Sequence, residues 1–141
     1  MKTKVEIIEE TAEFYNSQNR AANVAGCFYL MYDGSDRKCA VGRCMTESAI
    51  VLHGDTGGGV NHLLDKLVEI ERQKCQDDAT PIDYTKLLNT ILKEEYQGHD
   101  VSFWATLQQF HDRKKYWTET GLSEEGMIVK DNLINQYTNE N

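Results

Sequence analysis

Cys27-Phe28-Tyr29-Leu30-Met31-Tyr32-Asp33-Gly34, followed by Lys38-Cys39-Ala40-Val41, is the stretch on which the fold class turns. The run from Cys27 to Tyr32 is aromatic and apolar, and Asp33-Gly34 comes at once after it, the mark of a strand entering a turn. Lys38 to Val41 is the natural return strand. With Asp33 to Asp36 as the loop, Leu30 faces Cys39 and Phe28 faces Val41, so these four side chains share one face of a ribbon. This hairpin makes the expected fold α+β: a mostly helical single domain over 1–141, with four to five helices packed around a short β-hairpin.

Outward from the hairpin the period is helical. On the N-terminal side, Thr3-Lys4-Val5-Glu6 is a capping-box pattern, and Val5, Ile8, Ala12 and Tyr15 recur at helical spacing until Asn16-Ser17-Gln18-Asn19 ends the run. On the C-terminal side, Val60, Leu63, Leu64, Leu67 and Ile70 mark a second helix. Tyr84, Leu87, Leu88, Ile91 and Leu92 mark a third. Cys75 to Pro81, which holds the only proline, is the loop between them. Gly98 and Asp100 open an amphipathic helix carrying Phe103, Trp104, Leu107 and Phe110. Ser123 caps a last one, with Glu124 and Glu125 in the first turn, where the helix dipole favours negative charge.

The chain of 141 residues carries 23 Asp and Glu against 15 Lys and Arg, a formal net charge of −8. That balance excludes a general nucleic-acid binder, which needs a basic surface to displace phosphate counterions. It also disfavours an anionic membrane surface. It suits plain solubility, a basic protein partner or a mimic of nucleic-acid charge. Glutamates break the apolar run Val5-Glu6-Ile7-Ile8-Glu9-Glu10, so it does not read as a signal peptide. Cys27 to Tyr32, the longest apolar run, is far short of the roughly 20 residues of a membrane helix. The expected location is the cytoplasm, where the four cysteines stay reduced.

Among groups with chemistry, Cys39 and Cys44 have a spacing compatible with a zinc pair, which Cys27 and His53 would complete. The hairpin register puts Cys27 and Cys39 on opposite faces, and buried structural thiols are the plainer reading. A reactive thiol is the third. His53-Gly54-Asp55-Thr56-Gly57-Gly58-Gly59 precedes a helix and has the glycines of an anion site, but lacks the lysine of a P-loop. A solvated flexible loop is the plainer reading. Arg20 and Arg43 flank the hairpin and could clamp a carboxylate or phosphate, or tie the loop to acidic neighbours. His111-Asp112 is a usable base with its carboxylate, yet adjacent helical residues point about 100° apart and are poorly placed to pair. Trp104 and Trp117 read as core aromatics. No catalytic residue set emerges, and no cofactor is expected.

Phe14-Tyr15, Asn19-Arg20, the strand motif Cys27-Phe28-Tyr29 and the turn Cys39-Ala40-Val41-Gly42-Arg43 carry a resemblance, together with Leu107-Gln108-Gln109-Phe110-His111-Asp112 and Gly121-Leu122-Ser123-Glu124. The chain resembles a family of small bacteriophage and prophage proteins, mainly over 14–45 and 98–126. The resemblance implies a phage accessory protein in the host cytoplasm, and by analogy one that inhibits host machinery or antiviral defence without catalysis. Its partner would be a host protein or a small anionic, nucleotide-like ligand, met by Arg20, Tyr29, Arg43, Trp104, His111 and Trp117. The alternatives are a zinc-supported module or a small Cys/His enzyme. A homo-oligomer is compatible with the size, though no heptad specifies one.

Overall fold

Thr3 starts the first helix as its capping pattern requires. Its Oγ1 accepts from the Glu6 amide (3.1 Å) while the Glu6 carboxylate accepts from the Thr3 amide (2.7 Å), which satisfies two amides a helix start leaves unpaired. The resulting α1 spans Lys4–Phe14 and buries Ile7, Ile8 and Thr11. It stops where Asn16 and Asn19 hold a side-chain-bonded turn: Asn16 Oδ1 accepts from the Gln18 and Asn19 amides, and Asn19 Oδ1 from the Asn16 amide. This computed structural model describes residues 1–20, 22–23, 26–27, 29, 37–56, 59–75 and 81–140, with the backbone alone at 22, 23, 26, 27 and 75.

The protein is α+β and mostly helical, and the predicted hairpin turn at 33–36 lies outside the described residues. A first hairpin pairs β1 (Ala22–Asn23) with β2 (Gly26–Cys27), antiparallel, with Ala22 opposite Cys27. Of the expected outgoing strand, Phe28 and 30–32 lie outside the described residues. Of the expected return strand, Lys38 forms a β-bridge, Cys39 is an N-cap, and Ala40 and Val41 open a helix instead: α2, Ala40–Cys44. The Cys39 sulfur accepts from the Gly42 amide (3.3 Å). Ala40, Val41 and Cys44 are all buried, an i, i+1, i+4 pattern too short to tell from strand alternation by sequence. A second hairpin, which the sequence reading did not foresee, pairs β3 (Trp117–Thr118) with β4 (Gly121–Leu122).

The remaining helices are α3 (Glu47–His53), α4 (Val60–Cys75), α5 (Tyr84–Asn89), α6 (Val101–Asp112) and α7 (Glu124–Thr138). Side chains of Thr46, Asp83 and Ser123 cap α3, α5 and α7. Helix α5 is shorter than its apolar spacing predicts. Ile91 and Leu92 leave it to pair with the end of α2, through Thr46 N to Ile91 O (2.9 Å) and Lys93 N to Cys44 O (2.9 Å). Helix α6 is central: α1, α2, α4 and α5 all pack on it, and α7 lies along α1. Among the described residues, the buried apolar side chains form one cluster running from Ile7 to Tyr137. Among the described residues, no helix is long and apolar enough to cross a membrane.

Candidate functional site

The polar groups of interest gather at the C-terminal end of α6. Gln108 and Asp112 stand one turn apart on the same face, and Gln108 Nε2 donates to Asp112 Oδ1 (2.9 Å). The other end of that amide accepts from the Val41 amide (3.3 Å), which ties α6 to α2. Asp112 Oδ1 also meets His111 Nδ1 at 2.8 Å. Adjacent helical residues were expected to point apart, and these two pair nonetheless. They sit at the last turn, just before Arg113 leaves the helix as its cap, and the half-buried carboxylate folds back onto the ring.

His111 is fully buried. The Asp112 carboxylate places the ring proton on Nδ1 and leaves the Nε2 lone pair facing inward. Burial lowers the pKa of His111, with Asp112 opposing that shift. Tyr15, at the end of α1, lays its ring edge-on against the imidazole at 4.7 Å and donates its hydroxyl to the Lys38 carbonyl (2.6 Å). Arg20 is buried and donates to the His111 carbonyl (2.9 Å), and Arg37 in turn donates to the Arg20 carbonyl (3.1 Å). Trp117 closes the end of the helix, its indole N–H donating to the Phe110 carbonyl (3.2 Å).

Tyr29 and Cys39 lie beside this group, both buried and both within electrostatic reach of Asp112. Burial raises the pKa of each. Among the described residues, neither the Tyr29 hydroxyl nor His111 Nε2 has a hydrogen-bond partner. Of the six side chains expected to meet a ligand, Arg20, Tyr29, His111 and Trp117 therefore come together, in the interior rather than on an open surface. A neutral imidazole with a carboxylate on Nδ1 is a competent hydrogen-bond acceptor at Nε2, but solvent does not reach it here.

Arg43 and Trp104 are elsewhere. Arg43 donates to the Glu10 carboxylate, to the Tyr96 hydroxyl (3.3 Å) and to Thr11 Oγ1 (3.4 Å), and lies over the Phe14 ring. Lys2 and Tyr96 donate to the same carboxylate. Of the two sequence readings for Arg43, the structure shows the tie to an acidic neighbour. Burial would raise the Glu10 carboxyl, but hydrogen bonds from Lys2, Tyr96 and Arg43 outweigh it and hold the pKa at about 2. Trp104 is core, edge-on to Phe103 at 5.1 Å.

Nor do Cys39 and Cys44, the cysteines whose side chains are among the described residues, share one group of neighbours. Cys39 faces Tyr29, Gln108 and Asp112, whereas Cys44 lies among Arg43, Glu10 and Lys93 and is pushed up to about 12 by burial. The Cys27 side chain lies outside the described residues, as do Gly57 and Gly58 of the glycine loop. Among the described residues, no group of three His, Cys, Asp or Glu is placed to hold a metal ion. Gln108 and Tyr15 were missed as members of the cluster. The i, i+4 spacing of Gln108 and Asp112 was a visible signal, whereas nothing in the sequence links Tyr15 to His111. No protein family, curated protein or solved structure matches the chain.

Proposed function

We propose that the protein works by binding rather than catalysis, as a bacteriophage accessory protein that blocks host machinery or antiviral defence in the host cytoplasm. It does so by engaging a host protein or by sequestering a nucleotide-derived signal. The phage setting rests on the resemblance of the Cys39–Arg43 and Leu107–Asp112 blocks. What supports binding over chemistry is where the reactive groups lie. Cys39, Cys44 and His111 are all sealed from solvent, and burial favours the neutral form of each. A thiol must ionise to attack, so two buried thiols with raised pKa values are poor nucleophiles.

Native mass spectrometry of the protein purified from host cells, against its denatured mass, tests the reading. The expected result is added mass lost on denaturation, either a host polypeptide or a small anion of nucleotide mass. A bare mass, combined with turnover of a substrate that His111→Ala abolishes, would replace binding with catalysis.

A further inference from the structure

Away from the buried cluster, three helices leave a small concavity of about 280 Å³, lined by Asn61, Leu64 and Asp65 of α4, Tyr84 of α5 and Val101 of α6. Its composition is mixed in a specific way. Leu64 and Val101 make an apolar floor. Tyr84, the first residue of α5, is 50% exposed and offers a ring. Among the described residues, Asp65 is the one charged group in the lining and has no ion pair. Asn61 and Asp65 are one turn apart on α4, and Glu69, also exposed and without an ion pair among the described residues, continues the same face. Neighbouring cations are engaged or turned away. Lys66 bonds to the Leu52 carbonyl and Thr56. Lys4 pairs with Asp100 (3.3 Å), beside Val101. Lys86 is two residues beyond Tyr84, a spacing that does not put side chains on one face.

The geometry points to a docking site for an arginine side chain of a basic protein partner. A guanidinium stacks on an aromatic face and hydrogen-bonds a carboxylate with its planar fork, while its methylene stem covers apolar surface. Tyr84, Asp65 and the Leu64–Val101 floor supply those three counterparts in one recess. The net charge of −8 draws a basic partner to the surface. This inference rests on the binding function above and chooses the host-protein form of it.

The test uses the full chain labelled with ¹⁵N and the peptide acetyl-Gly-Arg-Gly-Arg-Gly-amide, with its citrulline counterpart as the uncharged control. The expected result is saturable shifts of the Asn61, Asp65, Tyr84 and Val101 amides with the arginine peptide only. Asp65→Asn and Tyr84→Leu, both at exposed positions that leave the core intact, should each weaken binding by roughly tenfold. Equal shifts with citrulline, no saturable shift at millimolar peptide, or full binding by Asp65→Asn would overturn the site. So would a dimer of the free chain that Asp65→Asn dissolves, because a second copy would then fill the recess. A host protein retained equally by wild type and Asp65→Asn removes the docking site but leaves the binding function standing. Loss of every partner from the wild type removes the binding function instead.

Discussion

Gly42 lies against the backbone of Tyr29: a Cβ built there would sit 2.2 Å from the Tyr29 carbonyl oxygen and 3.0 Å from its carbon. The neighbour is main chain, so it cannot swing aside as a side-chain tip would. Gly42→Ala should therefore cost about 2–3 kcal/mol by forcing α2 away from Tyr29, read as a lower urea midpoint with an unchanged slope. Glu10 makes a second prediction at this scale. Its pKa falls from the ordinary 4.5 to about 2 in the folded protein, so its contribution is complete above pH 4.5 and is lost as pH falls toward 2. Glu10→Gln should destabilise the protein by on the order of 2 kcal/mol at neutral pH, since Arg43 then loses its anion. The gap from wild type should close in acid, which urea titrations at pH 7, 4 and 2.5 would show. A constant gap would mean that the carboxylate does not carry the stability. Neither residue announces its role in sequence. Gly42 reads as part of a turn and Glu10 as one of several surface glutamates, and only the contacts with Tyr29 and Arg43 separate them from the rest.

Helices with a local start signal were legible and short elements were not. Thr3, Ser123 and the apolar stripes of α4 and α6 give starts and faces that the structure keeps, because capping and amphipathic spacing act within a few residues of chain. Ser123 does two jobs: its Oγ accepts from the Gly126 amide (3.1 Å) and donates to the Lys115 carbonyl (2.6 Å). Ser123→Ala should thus cost about 1–2 kcal/mol, the upper part of the range for a lost N-cap, measured by thermal or urea unfolding. Ser123→Thr should recover most of it. Helices α2 and α3 span five and seven residues, too few for a period to declare itself, and Ala40 and Val41 of α2 read as the end of a strand. The α2 cap is a cysteine, outside the usual set of capping residues. The shortened α5 has a different cause: Ile91 and Leu92 follow its apolar stripe, but bonding to the end of α2 takes them out of the helix.

Over the whole molecule, the two ends of the chain close the core together. Helix α7 packs along α1, and Tyr137 sets its ring edge-on to Phe103 of α6 at 5.4 Å while Lys4 of α1 lies over it at 5.0 Å. Tyr137→Ala should cost roughly 3–4 kcal/mol and loosen α1 as well as α7, seen as faster amide exchange in both helices. Exchange rising in α7 alone would show that the ends are not coupled. The residue types and their spacing settled the composition-level properties by themselves: a mostly helical α+β chain, acidic, with helices starting at Thr3 and Ser123 and their apolar faces turned inward. Those features follow from interactions between residues a turn or two apart. Tertiary structure alone decided that Ala40 and Val41 would be helical, that Asp112 would hold His111 beside Tyr15, and that Arg43 would pair with Glu10. It also left Asp65 and Tyr84 facing one recess. Each of these joins residues distant in the chain or chooses between local alternatives of similar energy, and burial in a shared core is what breaks the tie.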